Sequence, residues 1–157
     1  MAQLRPVLLV EDSPNDIELT LEALERSRLA NPVLVARDGV EALDVLLRRS
    51  NGPDGEMPAL PAVVLLDIKL PRMDGLEVLE EIKRDPRTRN VPVVMLTSSR
   101  EEQDLIRSYG LGVNAFVVKP VGHREFFEAI RDIGAFWAVL NEPAPHHDAT
   151  QTPSESP

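Results

Sequence analysis

The chain carries a repeating pattern in which five short apolar segments alternate with stretches whose apolar residues recur at helical spacing. Each apolar segment is continuous, without a polar residue at every second position, which predicts strands that are buried on both faces. Buried strands that alternate with helices form a parallel sheet through right-handed crossovers. We therefore expect an α/β fold, a doubly wound five-stranded parallel sheet with helices on both faces. The predicted strands cover residues 7–10, 33–36, 62–66, 93–96 and 115–118.

Residues that favour the start of a helix follow the predicted strands. Ser13 is placed to cap a first helix that has Pro14 at its first position. Asp38 and Asp74 precede the second and third helical stretches, and residues 98–102 offer a capping-box start for the fourth. A long last helix is expected from about residue 122 to residue 140. Each predicted strand is therefore followed by a predicted helix.

Composition narrows the classes of function. The 157 residues suit one domain with a sizeable core, and the absence of cysteine excludes disulfides and thiolate metal sites. The net charge of −9, without any basic run, argues against nucleic acid or an anionic membrane as a direct partner. No apolar run approaches the roughly 20 residues of a membrane helix, and the first residues lack a signal-peptide core. We expect a soluble, cytoplasmic protein.

The end of the chain differs from the rest. Residues 142–157 contain four prolines, several acids and no lysine or arginine, and they show no hydrophobic periodicity. Such a segment cannot bury enough apolar surface to order itself. We expect a folded domain over residues 1–141 and a disordered, Pro-rich acidic tail over residues 142–157.

Polar side chains close four of the five predicted strands. Asp67 follows the third strand, Glu11 and Asp12 follow the first, Thr97 follows the fourth and Lys119 follows the fifth. The carboxyl ends of parallel strands meet at one edge of the sheet, where doubly wound folds bind their ligands. Acids, a hydroxyl and an amine on one rim are what phosphoryl transfer to a carboxylate would need.

A metal ion fits the acidic part of this rim. If the Asp67 carboxylate attacks a phosphoryl group, two anions come together, and a cation has to bridge them. Mg²⁺ suits this task because it takes one or two carboxylates, keeps several waters and accepts phosphate oxygens. Asp12 and Glu11 would supply a second carboxylate and an acid that holds metal-bound water.

Hydrogen-bond donors are available for the charge on a transferred group. Lys119 offers a point charge and Thr97 a hydroxyl, and the backbone N–H groups of Ile68 and Ser98 could add further hydrogen bonds. These donors would stabilise an acyl phosphate on Asp67.

Each of these residues also has a simpler interpretation. An acid such as Asp67 can cap a helix or lie in a solvated turn, residues 11–13 can cap the first helix, and Thr97 with the serines after it can cap the fourth. Lys119, before Pro120, can be an ordinary surface lysine. The functional interpretation is preferred because four simple interpretations would have to coincide on one rim with the right chemistry.

Four motifs, in their order and spacing over about residues 5–140, resemble those of bacterial two-component response-regulator receiver domains, of which the chemotaxis regulators are an example. The motifs are Val10-Glu11-Asp12, Leu66-Asp67 with Leu70-Pro71-Arg72-Met73-Asp74-Gly75, Leu96-Thr97-Ser98 and Val118-Lys119-Pro120. The resemblance implies a flavodoxin-like fold with strand order 2-1-3-4-5. It implies that Asp67 accepts a phosphoryl group from the phosphohistidine of a cognate sensor histidine kinase. The chain would then be a signalling phosphoacceptor that catalyses only its own phosphorylation and dephosphorylation.

The resemblance also implies roles for the other site residues. Mg²⁺ would be bound by Asp12, Asp67 and the backbone carbonyl of Lys69, with Glu11 acting through metal-bound water. Lys119 would pair with a phosphate oxygen, and its peptide bond to Pro120 would be cis.

A conformational switch is implied as well. Thr97 would move to bond the phosphate, and the ring of Phe116 would turn inward behind it. Many receivers have a tyrosine where this chain has Phe116, so a hydroxyl that could mark the active surface is absent. The fourth helix, fifth strand and fifth helix would carry the change to a partner.

A narrower resemblance connects the chain with the stand-alone regulators that are paired with bacterial phytochrome kinases. It rests on residues 9–16, the long loop before the third strand, and residues 135–140. Members of that group are commonly homodimers. The last helix has an apolar arc wider than a surface helix needs, with Phe127 and Phe136 near its edges and Trp137 in its core stripe. Phe127, Phe136 and Trp137 are therefore predicted dimer contacts, although both phenylalanines could instead pack within the chain.

Two other functions are compatible with an α/β sheet of this kind. A phosphatase of the haloacid-dehalogenase type would want an acid two residues after the nucleophile, where this chain has Lys69, and a cap domain over a small substrate. A flavodoxin-like carrier would want a phosphate-cradling loop after the first strand, where Glu11 and Asp12 would repel phosphate without a metal. We therefore predict a phosphorylation-controlled module that changes partner or dimer interactions, passes the phosphate to a downstream phosphotransfer protein, or acts as a phosphate sink.

Overall fold

The computed structural model describes residues 5–27, 30–51, 60–119 and 124–140, without the side chains of residues 50, 51 and 134–140. Within these residues one parallel sheet has the strand order β2-β1-β3-β4-β5, which confirms the predicted fold. The strands are β1 Val7–Val10, β2 Val33–Ala36, β3 Val63–Asp67, β4 Val93–Thr97 and β5 Ala115–Val118. The helices are α1 Pro14–Arg26, α2 Gly39–Asn51, α3 Gly75–Arg84, α4 Arg100–Ser108 and α5 Arg124–Leu140. In this part of the chain no helix combines the length and apolar character needed to cross a bilayer.

Successive strand residues point to opposite faces of the sheet, and this alternation builds two cores. Leu8 and Val10 of β1 pack on one side, with buried residues of α2, α3 and α4. Val7 and Leu9 pack on the other side, with buried residues of α1 and α5. Continuous apolar strands were expected for this reason, because each face of the sheet is covered by helices.

The strand register places the polar strand ends at one edge. Val10 pairs with Leu66, so Glu11 and Asp67 are neighbours at the ends of β1 and β3. Thr97, the last residue of β4, pairs with Val118 of β5. Lys119, which follows Val118, therefore lies just beyond Thr97 at the same edge of the sheet. The strand order reverses between β1 and β3, which is where doubly wound sheets form their ligand crevice.

Helix starts agree with the sequence at α1, α2 and α3 and differ at α4. The Ser13 hydroxyl accepts the Asp16 N–H at the start of α1. At α2, the Asp38 carboxylate accepts the Glu41 N–H at 2.8 Å. At α3, Asp74 and Glu77 form a reciprocal capping box. At α4, Ser99 is the N-cap, but the Glu102 carboxylate accepts the N–H of Ser98 rather than that of the cap residue. The capping box predicted for residues 98–102 is therefore not formed there.

The β3–α3 loop is fixed from two directions. Gly75 lies so close to β3 that an added Cβ would overlap the carbonyl oxygen of Asp67, and its N–H donates to the Ile68 carbonyl at 2.8 Å. Arg72 adopts a φ of 67°, in the left-handed region that residues other than glycine rarely occupy. Its guanidinium donates two hydrogen bonds, each of 3.1 Å, to the Asp38 carboxylate. These contacts hold the residues that follow Asp67 against the sheet edge.

Candidate functional site

Three carboxylates converge at the carboxyl ends of β1 and β3. Glu11, Asp12 and Asp67 each offer an oxygen, and these oxygens all lie within 4.8 Å of one another. Glu11 and Asp67 are buried, and Asp12 is exposed. The set contains only oxygen donors, with both buried and solvent-facing members, which fits a hard divalent cation that keeps part of its water. The chemistry of these residues therefore suits Mg²⁺ or Mn²⁺.

One lysine of the described residues lies among the acids. The Nζ atom of Lys119 is 3.2 Å from Glu11 Oε1 and 3.4 Å from Asp67 Oδ2. It is also 3.1 Å from Oδ2 of Asp16, in the first turn of α1. Asp16 was not predicted as a site residue, because an acid in a first helical turn is expected simply from its interaction with the helix dipole. The sequence feature that could have identified Asp16 as a site residue is its position in the first turn of the helix that directly follows Glu11 and Asp12.

Burial and charge act in opposite directions on this cluster. Burial raises the pKa of Glu11 to about 7, assisted by the Asp67 charge and opposed by Lys119. Burial likewise raises the pKa of Asp67, against the lowering effect of the Lys119 charge and of a hydrogen bond from the Lys69 backbone. Burial opposes the charged form of Lys119, but Asp67 and Glu11 outweigh this and raise its pKa. The carboxylates of the cluster are therefore held together by the partly buried cation of Lys119.

The predicted backbone donors are engaged elsewhere in this structure. The Ile68 N–H donates to the Leu96 carbonyl at 3.4 Å, as part of the sheet. The Ser98 N–H donates to Glu102 Oε1 at 2.8 Å. The Lys69 backbone, one residue further along than Ile68, instead lowers the pKa of Asp67.

The two predicted switch residues lie on neighbouring strands. Thr97 is buried, and its hydroxyl accepts a 3.5 Å hydrogen bond from Gln103 Nε2. Phe116 is half-buried, and the Arg107 guanidinium carbon lies 4.6 Å from its ring centroid. The Phe116 ring thus has a cationic partner on the surface of α4 in this state.

An open groove of about 520 Å³ lies beside Asp12. One wall is the segment after β3, and the other is α4 with Glu102 and the exposed Leu105. The groove is therefore open to solvent beside the carboxyl ends of the strands.

The predicted dimer residues are only partly described. Phe127 is half-buried, with Phe126 edge-on at 6.5 Å between ring centroids and the Arg26 guanidinium 5.6 Å from its own ring centroid. Phe127 therefore has packing partners within the chain, as the simpler interpretation required. Pro120, with the predicted cis bond, and the side chains of Phe136 and Trp137 lie outside the described residues.

Comparisons with known proteins agree with this geometry. The family described as the response regulator receiver domain matches residues 7–131. The response regulator Rcp1 of Synechocystis sp. is 39% identical over 131 residues, which cover 83% of this chain and 87% of that protein. The solved structure of the bacteriophytochrome response regulator AtBRR is 65% identical, covers 89% of this chain and 99% of its own, and has a TM-score of 0.71. A Mn²⁺-bound form of Rcp1 is 38% identical with a TM-score of 0.72, covering 89% of this chain and 99% of that one.

The raised pKa of Glu11 predicts how stability depends on pH. A carboxyl whose pKa rises from 4.5 to about 7 on folding stabilises the protein below the lower value and loses that contribution as pH rises through the higher one. Without divalent cations, we expect the melting temperature to fall between about pH 4.5 and pH 7, the two pKa values of Glu11. Glu11→Gln should flatten this fall, because it removes the titrating group and one like charge beside Asp67.

Differential scanning calorimetry across this pH range checks the prediction. Glu18→Gln, at an exposed position of α1, which follows Glu11 in the chain, is the control and should follow the wild type. Adding Mg²⁺ should raise the melting temperature of the wild-type protein most strongly at the alkaline end of the range. Equal pH slopes for wild type and Glu11→Gln would contradict the assigned burial of this charge.

Proposed function

The chain belongs to the response regulator receiver domain family, and on that premise we propose that Asp67 accepts a phosphoryl group from the phosphohistidine of a sensor histidine kinase. The observation that carries this proposal is the meeting of Asp67 with Lys119 and with two further carboxylates at the strand ends. A buried nucleophilic carboxylate, a fixed cation and a cation-binding acid set are together the requirements of this reaction.

The proposed transfer forms one bond and breaks one. An Asp67 carboxylate oxygen attacks phosphorus, the phosphorus–nitrogen bond of phosphohistidine breaks, and its electron pair returns to the imidazole. Lys119 and the Lys69 backbone favour the ionised Asp67 that this attack needs. Glu11, Asp12 and Asp67, with the Lys69 carbonyl, would hold Mg²⁺, which supplies positive charge between the approaching anions.

After transfer, the site has to accommodate a larger anion. A phosphoryl group adds about −1.5 to −2 charge and three acceptor oxygens. Lys119 is the nearest cation and can exchange an Asp67 oxygen for a phosphoryl oxygen with a small movement. The Thr97 hydroxyl, which now meets Gln103 at 3.5 Å, is the second donor that can turn toward the phosphate.

The similarity to the bacteriophytochrome response regulator AtBRR supports a bacteriophytochrome as the kinase partner. The proposed output is a change in partner or dimer interactions, a phosphorelay step or a phosphate sink. The receiver boundaries at residues 1–141, the tail at 142–157 and the cytoplasmic location stay predictions. The phosphatase alternative is less well supported, because Lys69 occupies the position of its second acid and its Nζ lies 3.6 Å from Glu102.

Asp67→Asn tests the nucleophile. We expect the wild type, with Mg²⁺ and a small acyl-phosphate donor, to gain one phosphoryl group in intact-mass spectrometry. Asp67→Asn should gain none, because an amide oxygen is a far weaker nucleophile, and the isosteric change should keep the fold. Asp104→Asn, which changes an exposed acid on α4, is the matched control and should label like the wild type. Wild-type labelling of Asp67→Asn would contradict the proposal.

Arg107→Ala tests the resting position of the switch ring. Removing the guanidinium takes away the outward partner of Phe116, which is worth about 0.5–1 kcal/mol at an exposed site. If the ring turns inward on phosphorylation, affinity for beryllofluoride, an analogue of a bound phosphoryl group, should rise about twofold to fivefold. Titration followed by ¹⁹F NMR measures this affinity, and Arg100→Ala on the same helix is the control. Unchanged or weaker binding by Arg107→Ala would contradict an inward rotation of the ring.

The proposed homodimer rests on the apolar arc of α5. We expect sedimentation velocity to show a dimer for the full chain and a shift toward monomer for Phe136→Asp. Phe127→Asp should act in the same direction, although its contacts with Phe126 and Arg26 mean that it also disturbs the monomer. Arg131→Ala, at an exposed position of the same helix, is the control. An unchanged sedimenting species for both phenylalanine variants would rule out this surface.

A further inference from the structure

Glu102, in the first turn of α4, joins the two loops that border Asp67. Its carboxylate accepts the Ser98 N–H at 2.8 Å, and both of its oxygens lie 3.3 Å from the Ser98 hydroxyl. The Nζ atom of Lys69 lies 3.6 Å from Glu102 Oε2. Ser98 belongs to the β4–α4 loop, and Lys69 belongs to the β3–α3 loop. One carboxylate therefore contacts both loops beside the proposed nucleophile.

Helix capping does not account for this arrangement. The Ser99 hydroxyl already caps α4 by accepting the Glu102 N–H at 3.1 Å. A capping box would return the Glu102 carboxylate to the N–H of Ser99, as Glu77 returns to the N–H of Asp74 in α3. Instead, Glu102 reaches one residue further, to Ser98. The Glu102 side chain is only 16% exposed, whereas Ser98 is exposed to solvent, so the contact lies at the surface of the β4–α4 loop.

The groups that Glu102 holds flank the phosphoryl position. In the sheet register, Asp67 of β3 pairs with Leu96 of β4. Thr97 and Ser98 are therefore the next residues beyond Asp67 along the neighbouring strand, in the direction in which a phosphoryl group on Asp67 would extend. The Ser98 N–H is the backbone donor of that strand best placed to meet such a group, but in this structure it is occupied by Glu102.

We propose that Glu102 is a positioning residue that competes with the phosphoryl group for the donors of Ser98. In the unphosphorylated protein its carboxylate occupies these donors and draws the β4–α4 loop toward α4. Phosphorylation of Asp67 replaces this carboxylate with an anion of higher charge, and repulsion drives Glu102 away from the site. Glu102 thereby lowers the affinity of the site for a phosphoryl group and couples its arrival to the first turn of α4. This inference rests on the proposed function of Asp67.

The proposed release of Glu102 from Ser98 also gives a role to Lys69, which lies beside Glu102. Its ammonium group accompanies Glu102 at the edge of the groove beside Asp12, where it offsets the carboxylate charge without entering the acidic cluster. When Glu102 leaves Ser98, Lys69 remains within reach as its partner. The displaced carboxylate therefore keeps a partner in both states.

Three variants separate the hydrogen bond from charge alone. Glu102→Ala removes the carboxylate, and Glu102→Asp keeps the charge and the helix-start acid but shortens the side chain by one methylene. Glu101→Ala removes an exposed acid from the same turn and is the matched control. We expect the first two variants to bind beryllofluoride about fivefold more tightly than the wild type, which corresponds to about 1 kcal/mol. Glu101→Ala should stay within about twofold of the wild type.

The Ser98 amide resonance in ¹⁵N–¹H NMR spectra reports the bond itself. In the metal-free wild type we expect a downfield amide proton, because it donates to a carboxylate, and the two Glu102 variants should lose that shift. The proposal is supported if each variant that loses the resting shift gains affinity and Glu101→Ala changes neither. It is overturned if the shift is lost without a gain in affinity, if affinity rises with the shift intact, or if no Glu102 variant changes the shift.

Failure of the proposed function has a different signature. If Asp67 is not a phosphoryl acceptor, beryllofluoride with Mg²⁺ will not bind the wild type. The resting Ser98 shift and its loss in Glu102→Ala will still be observed in that case. If only the competition is wrong, the wild type binds the analogue and the variants do not bind it more tightly.

Discussion

The ion cluster around Lys119 is the interaction on which the site depends. Two buried carboxylates, Glu11 and Asp67, lie side by side, and burial raises the pKa of both and so disfavours the ionised form that the reaction needs. Lys119 offsets that cost from a position 108 residues away from Glu11 in sequence. Only a fold that brings the ends of β1, β3 and β5 to one edge can assemble this pair of acids with this cation. The parallel sheet therefore positions the charged groups of this cluster next to one another.

The same cluster prepares the site for the phosphoryl group. A cation that already contacts Asp67 can transfer its contact to a phosphoryl oxygen, so little reorganisation is needed when the anion arrives. The carboxylate of Glu102 holds the donors on the other side of the crevice, at Ser98. On phosphorylation, the phosphoryl group would then replace the Asp67 carboxylate at Lys119 and the Glu102 carboxylate at the Ser98 donors. Because Glu102 belongs to α4, such an exchange acts on the helix that also carries Arg107, the partner of the Phe116 ring.

Much of this arrangement could be predicted from the sequence. Asp67, Thr97 and Lys119 each follow an apolar strand, and parallel strands bring their carboxyl ends together whatever the details of packing. Asp16 was missed because its contact with Lys119 depends on how α1 is rotated against the sheet. The target of Glu102 was misplaced by one residue, because the choice between Ser98 and Ser99 depends on loop torsions that propensities do not encode. The left-handed backbone conformation of Arg72 could not be predicted from the sequence either, since its ion-pair partner Asp38 lies on a different loop.

A carboxyl-carbon NMR titration of the metal-free protein tests the central claim most directly. It would follow the Asp67 and Glu11 resonances in the wild type and in Lys119→Met, which keeps an unbranched side chain of similar length but removes the charge. The account predicts that the apparent pKa values of this pair move further upward in Lys119→Met, so that one carboxyl stays protonated above neutral pH. Unchanged or lower pKa values in that variant would show that Lys119 is not what keeps the acids ionised, and the proposed mechanism would lose its basis.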